Sequence, residues 1–115
     1  MFSFSPLPAL SPQELAVRLE SPDPIQLIDV REHEEAAIVS LPNFQLFPLS
    51  EYPNWSPVIL DKLDPHMETI VLCHHGIRSA QMCQWLMAQG FTQVKNLSGG
   101  IDAYACIVDP TLARY

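Results

Sequence analysis

Positive charge is scarce in this sequence. Only six of its 115 residues are Lys or Arg, they are scattered, and the formal net charge is −7. A nucleic-acid partner needs a basic face and an anionic membrane surface needs a polybasic patch, so neither partner is expected. No apolar run approaches the roughly 20 residues that span a bilayer. The opening MFSFSPLPAL is apolar, but it has no basic leading region and is broken by Pro6 and Pro8. An ordered lead-in is expected there rather than a signal peptide. Cysteine is sparse as well: three residues, an odd number with no framework spacing. That favours free thiols in a reducing compartment, hence a cytoplasmic location, over disulfides. There is no repeat, low-complexity tract or linker. Hydrophobic residues make up 48% and charged ones 17%, a composition that suits one compact domain over residues 1–115 with a single modest core.

Eleven prolines punctuate the chain. LSPQELAVRLE opens a helix, with Ser11 as N-cap, Pro12 at the first helical position and Glu14 completing a capping box; Ser21-Pro22 ends it. PIQLIDV, residues 24–30, is short, β-branched and flanked by turn residues, which predicts a strand. EHEEAA is a short helical turn. Residues 40–57 are rich in Pro and Asn and are expected to be mostly irregular, and PVILDKLD to be a short helix at best. ETIVLC is continuously apolar, as in a strand buried on both faces. SAQMCQWLMAQG is a helix stopped by Gly90, QVKNL a third strand, and GGIDAYACIV a further turn and helix. Strands alternating with helices predict an α/β fold: a small, mainly parallel central sheet flanked by helices. Ligands of such folds sit outside the carboxyl ends of the strands.

Cys73 lies at such an end, and the loop after it, His74-His75-Gly76-Ile77-Arg78-Ser79, runs into a helix. Gly76 permits a tight turn with positive φ. Successive backbone N–H groups in such a turn can form an anion-binding nest, and the helix N-terminus adds partial positive charge. Arg78 supplies a permanent cation. All three favour thiolate over thiol and so activate Cys73 as a nucleophile. A free cysteine ending a buried strand is by itself most often a small apolar core residue; it is the loop setting that marks Cys73 for chemistry. Cys83, inside an apolar helix, is core filler, and Cys106 has no comparable setting. Together with Cys73 and Cys83, His74 and His75 match no common zinc spacing, so no metal site is expected. His33 and His66 read as surface residues, and Met82 and Trp85 as core on helical spacing. Asp29 ends a buried strand and with Arg31 can order a neighbouring loop by hydrogen bonds, although DVREHEE is also readable as a solvated turn. Gly99-Gly100 allows a close backbone turn.

LIDVREHEE, then IVLCHHGIRSAQMCQWLMAQGF, then VKNLSGGIDAY, in that order, resemble a single rhodanese domain, and the likeness begins as early as LSPQELAVRL. The closing IDAYACIVDPTLARY is similar to the ends of rhodanese domains fused to ubiquitin-like-protein activating enzymes. The resemblance implies a rhodanese-like fold and a Cys73 that accepts a sulfane sulfur as a persulfide cradled by residues 74–79. Residues 36–49, AAIVSLPNFQLFPL, depart from the family's usual Gly-His-Ile-Pro-Gly-Ala-like passage, which bears on the shape of the site wall. Tyr104 stands where a Trp is common. Dual-specificity phosphatases of the same fold have five residues between Cys and Arg; here there are four, and a shorter ring of N–H groups suits one sulfur atom better than a phosphoryl group.

The expected activity is therefore sulfur transfer by double displacement through Cys73. The donor is thiosulfate or a persulfide, the acceptor a thiol or cyanide. Residues 74–79 bind the anion, Asp29 and Arg31 support the wall, and no metal or organic cofactor takes part. Expected partners are a small sulfur donor or acceptor, or a persulfide-carrying protein. The competing reading is a rhodanese-fold binding or redox-sensing module with little turnover, with phosphatase-like activity behind it.

Overall fold

The computed structural model describes residues 7–115. The elements run β1 (Ala9–Leu10), α1 (Pro12–Glu20), β2 (Gln26–Asp29), α2 (His33–Ile38), β3 (Gln45–Leu46), a 3-10 turn (Leu49–Glu51), α3 (Tyr52–Lys62), β4 (Thr69–Leu72), α4 (Ile77–Ala88), β5 (Val94–Leu97) and α5 (Gly100–Ile107). The sheet order is β1-β5-β4-β2-β3, and all four pairings are parallel. The expected α/β fold is what forms, with β4 at the centre. Most of the expected lead-in, residues 1–6, lies outside the described residues; its end forms the short edge strand β1.

Strand alternation decides which way Cys73 faces. Successive strand side chains point to opposite faces, and every residue of β4 is buried. Ile70 and Leu72 join Leu10, Leu15, Leu97, Ile101 and Tyr104 on the side of α1 and α5. Val71 and Cys73 join Trp55, Ile59, Met82, Cys83 and Leu86 on the side of α3 and α4. Cys73 therefore follows Val71 in direction and looks toward α4. α1 starts as its sequence predicts: Ser11 Oγ accepts from the Glu14 amide at 3.1 Å, and Glu14 Oε1 accepts from the Ser11 amide at 2.8 Å.

Residues 40–57 differ from expectation. They contain β3 and the 3-10 turn, and α3 begins at Tyr52 and is 11 residues long. Prolines that read as breakers are accommodated in two ways. Pro53 sits in the first turn, where an amide hydrogen has no helical partner. Pro57, further in, removes one helical hydrogen bond, and the buried pair Trp55 and Ile59, four residues apart, holds that helix face to the core. Trp55 Nε1 donates to the Pro48 carbonyl at 2.7 Å, and its ring meets Phe47, Tyr52 and Trp85 edge-on at centroid distances of 5.2–5.9 Å.

Candidate active site

The loop from Cys73 to Ser79 closes on the sulfur. Gly76 has φ +101°, a left-handed conformation that glycine adopts without steric penalty, and its amide donates to Cys73 Sγ at 3.0 Å. α4 starts one residue later, and its first turn carries Ser79, whose hydroxyl lies 3.2 Å from the same sulfur. Cys73 and Ser79 are both buried. Burial pushes the Cys73 thiol up, but the Ser79 hydroxyl and the amides of Ser79, Gly76 and His75 outweigh it and leave the pKa below the usual thiol value.

Asn96, which sequence reasoning missed, locks this arrangement. From β5 its Nδ2 donates to the Gly76 carbonyl at 2.9 Å, and its Oδ1 lies 2.5 Å from Ser79 Oγ. The one hydroxyl hydrogen of Ser79 is thus contested between Asn96 and the sulfur. The available signal was a polar residue inside a buried strand, VKNL. Behind the loop, the amides of Ile101 and Asp102 at the start of α5 donate to the carbonyls of Cys73 and His74 at 2.9 and 3.1 Å. Only glycine fits there: a Cβ on Gly100 would lie 2.3 Å from the His74 carbonyl oxygen and 2.5 Å from that of Cys73. The turn expected of Gly99-Gly100 forms, with φ +74° and +64°, and brings the start of α5 to this contact.

Arg78 does not turn toward the sulfur. Its Nη1 and Nη2 make a bidentate pair with Glu35 Oε1 and Oε2 at 2.6 and 2.9 Å, so the groups that hydrogen-bond the Cys73 sulfur are amides and a hydroxyl, and the guanidinium acts on it only through its charge. Glu35, another residue that sequence reasoning missed, also accepts from the Glu32 amide at 3.1 Å and from Tyr115 Oη at 2.8 Å. The Arg78 guanidinium, opposed by partial burial, holds the Glu35 carboxyl down to about 2. Nothing in the run EHEEAA distinguishes Glu35 from Glu34 until the helix is placed: Glu34 is exposed, Glu35 half-buried.

Asp29 and Arg31 pair with each other next to Glu35. Arg31 is fully buried; Nε and Nη2 donate to the Asp29 carboxylate at 3.0 and 2.7 Å, and Nη2 and Nη1 also reach the carbonyls of Val39 and Glu35 at 2.8 and 3.3 Å. The atypical segment 36–49 is thereby tied down through Val39. Arg31 Nη1 further donates to Tyr115 Oη at 3.1 Å. The Tyr115 ring stacks on His74 with centroids 3.8 Å apart and planes 8° from parallel.

His74 is half-buried, with Nε2 enclosed and unpartnered; burial and the neighbouring His75 push its pKa down. His75 is exposed and its Nδ1 lies 3.9 Å from Asp102, while Ile77 is 74% exposed. Among the described residues no cluster of His, Cys, Asp and Glu has the makings of a metal site. Cys83 is buried behind the loop, and burial together with the Cys73 charge pushes its thiol up to about 12. All three cysteines are free. No helix among the described residues is long and apolar enough to cross a membrane.

The chain as a whole is similar to known proteins. The chain is 45% identical over 113 residues to the rhodanese-like/PpiC domain-containing protein 12, chloroplastic, of Arabidopsis thaliana, covering 96% of itself but 38% of that protein. It is 31% identical over 93 residues to a sulfurtransferase of Allochromatium vinosum, covering 81% of itself and 83% of that protein. Among solved structures, a rhodanese-like domain protein from Staphylococcus aureus superposes with a TM-score of 0.77 at 28% identity, over 95% of this chain and 99% of that one. The model of the rhodanese-like domain family matches residues 11–105, and the chain belongs to that family.

Proposed function

We propose that the chain is a sulfurtransferase that carries sulfur as a persulfide on Cys73, with residues 1–115 acting as one rhodanese-like domain. The observation that carries this reading is the ring of donors on Sγ, from the Gly76 amide at 3.0 Å and the Ser79 hydroxyl at 3.2 Å. Donors placed there stabilise a sulfur anion without any metal or organic group. Support comes also from the name sulfurtransferase borne by the Allochromatium relative. In the first half-reaction the Cys73 thiolate attacks the sulfane sulfur of thiosulfate or of a persulfide. The donor's S–S bond breaks, and the leaving group, sulfite or a thiolate, departs with the bonding pair. In the second, a thiolate or cyanide attacks the outer sulfur and Cys73 leaves as thiolate. His74, His75, Gly76, Ile77, Arg78 and Ser79 form the rim around the sulfur, and Asp29 and Arg31 hold its wall. The donor or acceptor is a small sulfur compound or a persulfide-carrying protein, in a reducing compartment such as the cytoplasm, where three free thiols persist.

The 1% exposure of Cys73 favours a second reading, a redox-sensing or binding module with little turnover. Intact-mass and peptide-level mass spectrometry after incubation with a sulfur donor separates the two. A sulfur-sized adduct on Cys73, lost on addition of a thiol acceptor and absent in Cys73→Ser, is the expected result. An unmodified Cys73 after exposure to both thiosulfate and a thiosulfonate would overturn the sulfurtransferase reading.

A further inference from the structure

The charges around the loop are matched one against one. Among the described residues three arginines border the loop and its wall, and each is held by a carboxylate: Arg31 by Asp29 at 2.7 Å, Arg78 by Glu35 at 2.6 Å, and Arg114 by Asp102 at 2.9 Å. Arg78 is the cation nearest in sequence to the cysteine, and its pairing is a built one. Both carboxylate oxygens of Glu35 are engaged, each by one guanidinium nitrogen and one further donor, the Glu32 amide on Oε1 and Tyr115 Oη on Oε2. Glu35 itself sits on α2, whose capping box fixes it: Glu32 at the N-cap, Glu35 at the third helical position. The carboxylate that neutralises Arg78 thus comes from a different element and is held independently of what the loop binds.

We infer that Glu35 determines which sulfur donors the site accepts: by holding Arg78 it leaves the mouth without an unpaired cation, so that singly charged donors are favoured over the thiosulfate dianion. This rests on the sulfurtransferase reading and names its donor class. Thiosulfate and methanethiosulfonate present the same terminal sulfane sulfur. Attack by the Cys73 thiolate forms Cys73–S–S⁻ from either, releasing sulfite from the first and methanesulfinate from the second, each with the electron pair of the broken S–S bond. They differ by one negative charge on the part that faces the mouth. A site with a free arginine gains from that extra charge. Here Glu35 and the net charge of −7 oppose it. Glu35 acts through Arg78 and touches no reacting atom, so it is a positioning residue.

The test is the second-order rate of Cys73 persulfide formation, followed by mass spectrometry, with each donor across ionic strength. Glu35→Gln is expected to raise the thiosulfate-to-methanethiosulfonate rate ratio by about tenfold, since it removes one like charge close to the dianion. Its thiosulfate rate is also expected to fall with added salt, as for any attraction that ions screen. Glu35→Asp keeps the charge and is expected to restore the parent ratio; Tyr115→Phe removes two hydrogen bonds, to Arg31 and Glu35, but no charge, and leaves the ratio unchanged. The parent protein alone suffices if the variants do not fold: its thiosulfate rate is expected to be flat or to rise with salt. A parent rate that falls steeply with salt, or a ratio unmoved in folded Glu35→Gln, overturns the inference while leaving sulfur transfer standing. Absence of persulfide with both donors overturns sulfur transfer and the inference with it.

Discussion

Replacing Ser79 with alanine isolates the hydroxyl from the rest of the cradle. Its Oγ lies 3.2 Å from Cys73 Sγ and 2.5 Å from Asn96 Oδ1, and the amide of Asn96 is oriented by its other end, which donates to the Gly76 carbonyl. While Cys73 is a neutral thiol, the hydroxyl hydrogen goes to Asn96. When Cys73 ionises, the hydrogen is drawn to sulfur and the bond to Asn96 weakens. A hydrogen bond to a charged group is worth about 1.5–3 kcal/mol and a neutral one about 0.5–1.5 kcal/mol, so the gain on ionisation is about 1–1.5 kcal/mol. At 1.36 kcal/mol per unit, Ser79→Ala is expected to raise the Cys73 pKa by about one unit, with the loop amides still holding part of the depression. The assay is the rate of iodoacetamide alkylation of the Cys73 peptide against pH, read by mass spectrometry so that Cys83 and Cys106 do not contribute. A thermal melt confirms that the variant is folded. A pKa that stays put or falls in the folded variant would refute the role given to the hydroxyl and leave the amides as sole support.

Gly100→Ala places a methyl 2.3 Å from the His74 carbonyl oxygen at a residue with φ +64°; a loss of at least about 2 kcal/mol in urea unfolding is expected, together with slower Cys73 alkylation as the loop is pushed out of place. Glu35 has its pKa lowered from 4.5 to about 2, so its contribution to stability is fully present above about pH 4.5 and is lost as the pH falls toward 2. Arg78 is partly exposed, with 35% of its side chain accessible, so screening reduces the loss to about 1–2 kcal/mol. Urea melts between pH 6 and pH 3 should show a smaller acid-induced loss in Glu35→Gln than in the parent, and an identical slope in the two would count against the pair.

The parts of this fold that were legible in the sequence are those written in local chemistry. Ser11, Pro12 and Glu14 cap α1 by interactions spanning three residues, and the apolar run ending at Cys73 reads as a strand because both its faces are buried. Gly76, Ser79 and Gly100 stand out by residue type at a strand-to-helix turn. What escaped notice depends on partners far away in the chain. Glu35 gains its role from Arg78, 43 residues on; Tyr115 from Glu35, 80 residues back; and Asn96 from Ser79, 17 residues back. α3 escaped for a different reason. Pro53 and Pro57 argue locally against a helix, and the burial of Trp55 and Ile59 overrides them. Arg78 was recognised as a cation, but its pairing was invisible without α2, and with it the charge of the whole rim.

The opposition at Cys73 between burial and hydrogen bonding has a consequence for the proposed cycle. In its first half Cys73 must attack as a thiolate; in its second it must leave as one. A lower pKa gives more thiolate and a better leaving group, but it also weakens the nucleophile, with rates of attack falling along a Brønsted slope of about 0.4–0.5. A cysteine driven far down by an adjacent bare cation would leave well and attack poorly. Here the Arg78 cation is neutralised by Glu35, burial pushes the thiol up, and the Ser79 hydroxyl with three amides brings it below its usual value. These contributions are neutral dipoles of short reach, so they act on whichever sulfur bears the charge within the ring, and add little field at the mouth. The sulfur anion is stabilised inside while the entrance keeps its charges balanced. Chemistry at Cys73 and selection of donor charge at the rim are therefore set by different residues, Ser79 and Asn96 for the first and Glu35 for the second, and substitutions in the two sets more than about 7–10 Å apart should combine additively.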